Sequence, residues 1–169
     1  MNNSVFINLE NNISYGNLLD ICHDNYGVIY NLFKYYDEDC DIQYFEGRAE
    51  RNIEKQSYDS CILFFSLNSI FKDIEKRRLI NEIGDYLKND GILYIWDIDK
   101  KFLKTYENNI KVYMPDKSLK EFHIKDYNIL KDNSKEKVLN IINKRFEVIN
   151  FKSNNGIYNI ICRKRRYNR

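Results

Sequence analysis

The sequence predicts an α/β fold: a mostly parallel sheet with helices on both faces and an antiparallel ending. Three observations predict it. Nearly continuous apolar runs of strand length recur at Asn17–Cys22, Tyr58–Ser66 and Ile92–Trp96. Runs of that kind are buried on both faces of a parallel sheet. Between them lie segments with apolar residues at helical spacing, which supply the crossovers that parallel strands need. The last third closes with two strand-like runs, Phe146–Phe151 and Ile157–Cys162, around the turn Asn154-Asn-Gly156.

Taken in order, Asn17–Cys22 is a short apolar strand. It leads into a helix over Tyr26–Tyr36, where Val28, Ile29, Leu32, Phe33 and Tyr36 recur at helical spacing. Asp41–Glu46 is a second strand, stopped by Gly47, and Tyr58–Ser66 is a buried one. Asp73–Asn89 carries the strongest helical pattern, with Ile80, Ile83 and Leu87 on one side and Lys72, Glu75, Lys76 and Asp85 elsewhere. Asn89-Asp-Gly91 is expected to end it in a positive-φ residue. Ile92–Trp96 is the next strand, closed by Asp97. Ile110–Met114 and Lys120–Ile124 flank Pro115-Asp-Lys117 and read as an antiparallel hairpin. Asn133-x-x-Glu136 has the form of a capping box for a helix carrying Val138, Ile141, Ile142 and Phe146. One core is expected to gather Leu63, Phe65, Ile83, Leu87, Leu93 and Ile95.

A chain of 169 residues without repeats or a proline-rich boundary fits one domain, since ~100–200 residues per domain is usual. Residues 1–169 therefore read as a single unit, with an insertion over 100–133 that holds the hairpin and a basic tail over 163–169. Hydrophobic residues make up 43%, which excludes disorder as the main state. Lys and Arg number 27 against 25 Asp and Glu, a balance that does not call for a nucleic-acid partner or an anionic membrane. With 6 Gly and 1 Pro, the composition does not favour a fold needing many glycine turns.

The first ten residues have neither a basic start nor a long apolar core, so no secretory signal is expected. The most apolar stretch, Cys61–Phe71, is broken by Ser66, Asn68 and Ser69 and falls short of the ~20 residues that span a bilayer. Cys22, Cys40, Cys61 and Cys162 show no paired spacing and read as reduced, mostly buried thiols. The expectation is a cytoplasmic protein.

Dinucleotide and P-loop glycine motifs are absent. His23 and His123 lie 100 positions apart and give no metal site. His23 reads either as a general base or as a polar loop residue. Asp97 and Asp99 end a strand where open α/β sheets bind ligands, and read either as acceptor contacts or as caps of the following structure. The run Arg163-Lys-Arg-Arg-Tyr-Asn-Arg169 reads as a solvated terminus or as a phosphate grip.

Three stretches, Tyr58–Ile70, Arg78–Lys88 and Asp90–Asp97, resemble class I S-adenosylmethionine-dependent methyltransferases. They match an aromatic-Asp pair opening strand four, a helix ending in Leu-Lys, a glycine turn and strand five. Leu18-Leu-Asp-Ile21 is similar to the family's first motif, and Phe146–Cys162 to its reversed last strand. The resemblance covers residues 15–100 and 134–163. It implies a Rossmann-like sheet and S-adenosylmethionine as cofactor, bordered by Asp20, Cys22, Gly27, Glu46 and Ser66. It also implies a small-molecule or macromolecular methyl acceptor.

Two departures stand beside it. The loop Cys22-His-Asp-Asn-Tyr-Gly27 keeps one glycine where the family has several, which implies weak cofactor affinity or its loss, leaving a binding module. Only 39 positions separate Asp20 from Asp59, so one βα unit is missing. Glu46 then ends either strand two, where it would hold the ribose hydroxyls, or strand three, where it would not. No catalytic acid or base is assigned. The aromatic hairpin, with Tyr106, Tyr113, Phe122 and Tyr127, is expected to cover the site or to make a homodimer contact.

Overall fold

The computed structural model describes residues 4–9, 16–22, 27–36, 42–46 and 53–166. Its elements run β1 (Ser4–Asn8), β2 (Leu18–Cys22), α1 (Val28–Tyr36), β3 (Ile42–Glu46), β4 (Tyr58–Phe64) and α2 (Asp73–Tyr86). They continue with β5 (Leu87–Ile98), β6 (Tyr106–Tyr113), β7 (Leu119–Asp126), α3 (Lys135–Ile142), β8 (Phe146–Asn154) and β9 (Ile157–Lys164). Six strands form one sheet in the order β3-β2-β4-β5-β9-β8. The first four run parallel, and β9 and β8 complete the sheet through antiparallel pairings. A second sheet, β1-β6-β7, joins β1 in parallel to the β6–β7 hairpin.

The central strands read as unbroken apolar runs because both their faces are covered. On one face Leu19, Cys61, Leu63, Leu93, Ile95 and Ile160 pack against Ile80 and Ile83 of α2 and Val138, Ile141 and Ile142 of α3. On the other, Leu18, Ile62, Phe64, Tyr94 and Trp96 meet Val28, Ile29 and Leu32 of α1 together with Val5, Ile7, Ile110, Val112 and Ile124 of the small sheet. Helices lie on both faces as expected, and the small sheet shares the α1 side. No helix among the described residues is long and apolar enough to cross a membrane.

Several local expectations are corrected. The long helix ends at Tyr86, because Leu87 is already extended (φ −70°, ψ 140°), fully buried and paired with Tyr58. The positive φ expected nearby falls on Asp90, at 63°. Phe65 does not join the Leu63 core: with φ at 54° the chain turns over, and its ring packs with Phe64 and Phe122 on the opposite face. Lys76 is buried within α2; its spacing of four from Ile80 places it on the apolar stripe. The N-cap of α3 is Ser134, and Asn133 sends its side chain inward instead of capping.

The hairpin is a layer of the fold, since Ile110, Val112 and Ile124 are buried against the large sheet and Phe122 packs 6.0 Å from Phe64 between ring centres. β1, unforeseen as a strand, is its third member. The basic run is no free tail through Arg166. Arg163 and Lys164 belong to β9, Lys164 Nζ donates to the Leu87 carbonyl at 2.6 Å, and Arg166 pairs with Asp90. Residues 167–169, Cys40 and His23 lie outside the described residues. Cys61 and Cys162 are buried free thiols, as expected, and Cys22 is half-buried.

Candidate functional site

Parallel pairing brings the ends of β2, β3, β4 and β5 to one edge of the large sheet. Cys22 stands in register with Glu46, Asp20 with Ile62, and Phe64 with Trp96. That edge, with the loops after it, is where an open α/β sheet binds ligands. β3 lies directly beside β2, so Glu46 ends the strand next to Asp20's own. The loop after Cys22 resumes at Gly27, whose φ of 66° suits a residue without a side chain, and whose carbonyl accepts Asn31 Nδ2 at 2.6 Å to start α1.

Asp20 is the unusual group on this edge. It is 3% exposed, and among the described residues its Oδ1 has no hydrogen-bond partner. Burial pushes its carboxyl up to about 7, because the charged form is poorly solvated there. Ser66 is also buried, and its hydroxyl donates to the Ile21 carbonyl at 2.7 Å, fastening the end of β4 to the end of β2. The turn after it, Leu67–Ser69, is held in place from below. Asn68 N donates to Asp97 Oδ2 at 3.0 Å, and the Asn68 carbonyl accepts from Lys131.

Asp97 heads a buried polar network that the sequence reading missed. Its carboxylate also accepts from Ile98 N at 2.7 Å and from Asn133 Nδ2 at 3.0 Å. Asn133 in turn accepts from Lys76 Nζ at 2.7 Å. Burial pushes Asp97 up to about 6, against the pull of the Ile98 and Asn68 amides and the Lys76 charge. Burial lowers Lys76 to about 8, with Asp97 and Asp73 opposing the shift. A second buried cation, Lys100, donates to the carbonyls of Asn128 at 2.7 Å and Lys131 at 2.6 Å. Lys131 pairs with Asp126 at 2.7 Å. These bonds clamp segment 126–135 to the ends of β4 and β5. The spacing Lys76–Ile80–Ile83 was the one sequence signal for this network; Asn133 and Lys131 carried none.

Asp99 accepts from Lys135 N at 3.1 Å and pairs with Lys135 Nζ at 3.1 Å, which makes it a brace for the start of α3. His123 is exposed on β7, its ring nitrogens 2.7 Å from Asn109 Oδ1 and 3.1 Å from Glu107 Oε1. No group of three metal-ligating side chains occurs among the described residues. Those residues offer the edge two buried carboxyls, Asp20 and Asp97, and a third, Asp99, that braces α3.

No family model and no curated protein matches this chain. Solved structures do. Protein PH0226 from Pyrococcus horikoshii OT3 matches with a TM-score of 0.64 at 14% identity, over 93% of this chain and 85% of that one. An S-adenosylmethionine-dependent methyltransferase from Mesorhizobium loti matches at 0.57 and 9%, over 88% and 90%. The S-adenosylmethionine-bound amino pentose methyltransferase CalS10 from Micromonospora echinaspora matches at 0.59 and 11%, over 88% and 83%. At such identities the likeness shows the fold alone: the chain has the class I S-adenosylmethionine-dependent methyltransferase-like fold.

Proposed function

We propose that this chain, built on a class I methyltransferase-like fold, binds S-adenosylmethionine at the edge formed by β2, β3 and β4 and methylates an acceptor in the cytoplasm. The buried Asp20 Oδ1 at that edge, without a hydrogen-bond partner among the described residues, carries the reading. A buried polar atom of this kind calls for a partner, and a ligand bound at the strand ends would supply one. Asp20, Cys22 and Gly27 would border the amino-acid end of the cofactor, and Glu46 would accept the ribose hydroxyls. Ser66 keeps the floor rigid by tying β4 to β2. Bound there, the cofactor supplies an electrophilic methyl group on a sulfonium. The chain's task is then to orient the acceptor against it, with Phe65 and Phe122 as an apolar wall beside the end of β4.

One observation favours a second reading, a binding module that has lost the cofactor. Between Cys22 and Gly27 a single glycine remains, and side chains in such a loop obstruct close backbone approach. Calorimetric titration with S-adenosylhomocysteine separates the two. The enzyme reading expects one site per chain with a dissociation constant above ~1 μM, weaker than about −8.2 kcal/mol, because of the depleted loop. Glu46→Gln should weaken binding more than Asp99→Asn, whose parent carboxylate is occupied by Lys135. Absence of heat at millimolar ligand would establish the second reading, and submicromolar affinity would refute the impaired loop.

A further inference from the structure

The outer edge of the large sheet is β8, and among the described residues nothing pairs with its free side. From Ile149 to Asn154 every residue is exposed on both faces, including Ile149 at 47% and Phe151 at 40%. A long edge strand with exposed apolar side chains is a template for another strand. The chemistry of this strand selects which one.

β8 slips register against β9 between Val148 and Asn150, leaving Ile149 as an extra residue. In an unbroken strand, residues an odd number apart face opposite sides. Here the extra residue shifts the alternation. Val148 is partly buried on the α2/α3 face, and Phe151 stands opposite Ile160, a member of that same core. Glu147 and Lys152 fall together on the other face, opposite Arg163 and Asn159. Neither Glu147 nor Lys152 has an ion-pair partner among the described residues.

The geometry points to a second copy of this chain as the partner, joined antiparallel through β8 about a two-fold axis between Ile149 and Asn150. That register places Glu147 of each copy opposite Lys152 of the other, and Val148 opposite Phe151, on matching faces. Two charge pairs and two apolar pairs form at once, as an isologous contact requires. An exposed lysine on an edge strand deters pairing with most strands, which leave the charge unmet. This strand carries its own answering acid at the right distance.

Sedimentation velocity on the full chain from 5 to 500 μM at low salt tests the inference. The expected result is a rise toward twice the monomer mass, weakened by high salt. Lys152→Glu and Glu147→Lys should each weaken association about tenfold, and the double swap should restore it, because the pairs are then inverted rather than lost. Both positions are exposed, and an unchanged urea midpoint confirms that the variants fold. A monomer throughout the range, single reversals without effect, or a double swap that fails to rescue would each overturn the proposal.

Discussion

Asn133→Ala removes one amide from the buried network and tests how much of the fold hangs on it. Asn133 is fully buried, and its side chain bonds three ionisable partners: it accepts from Lys76 Nζ at 2.7 Å and donates to Asp97 at 3.0 Å and to the Tyr158 hydroxyl at 3.3 Å. It also donates to the Ile98 carbonyl at 3.0 Å. Hydrogen bonds to charged groups contribute about 1.5–3 kcal/mol each. They do not add fully within one network, and leaving Lys76 short of a partner in the interior carries its own penalty. The expected loss is about 3–5 kcal/mol, a large share of the ~5–15 kcal/mol that stabilises a typical domain. Trp96, the single tryptophan and 4% exposed, reports urea unfolding by fluorescence. Asn140→Ala, at an exposed position of α3, serves as the control and should stay within ~0.5 kcal/mol. Replacing both partners, as Lys76→Met with Asn133→Leu, should cost clearly less than the two single changes summed. A loss below ~1 kcal/mol for Asn133→Ala, or strict additivity in the double variant, would refute the view that this network clamps segment 126–135 to the strand ends.

Two further outcomes follow from burial. Leu93 sits at the centre of the α2/α3 core with no exposed surface, so Leu93→Ala should cost ~2–5 kcal/mol in denaturant midpoint analysis, and a loss under ~0.5 kcal/mol would contradict its place there. Burial pushes the Asp20 carboxyl from its ordinary 3.8 up to about 7, so between those values the folded state holds the proton that the unfolded state has released. Stability should therefore fall as pH rises from about 4 to 7. Asp20→Asn should flatten that slope and stabilise the free protein at pH 7.5 by up to a few kcal/mol, at ~1.4 kcal/mol per pK unit. A parent whose stability rises across this range with no change in the variant's slope would contradict a buried, solvent-deprived Asp20.

Much of the fold was legible because burial on both faces leaves a direct trace in composition. The runs at 17–22, 58–66 and 92–96 are apolar for the same reason that they are central strands, and the turn at Asn154-Asn-Gly156 names the last hairpin. Strand ends and the family resemblance, both present in the sequence, place Asp20, Cys22, Gly27, Glu46 and Ser66 in one group. β1 left no such trace. Five residues alternating between buried and exposed positions become a strand only when β6 offers a partner edge.

Local pattern located the central strands, the helices and the class of fold, because periodicity and turn chemistry act over a few residues. Tertiary structure alone decided which core Phe65 joined, since one positive-φ turn carries its ring to the opposite face from Leu63. It also decided what Lys76 and Asn133 do. A lysine on an apolar stripe and an asparagine before a helix have ordinary surface readings in sequence. They become a buried clamp only because Asp97, 21 positions from Lys76 and 36 from Asn133, is folded between them. Long-range polar contacts have no period, and the partner that makes a buried charge tolerable is chosen by the fold rather than by its neighbours in the chain.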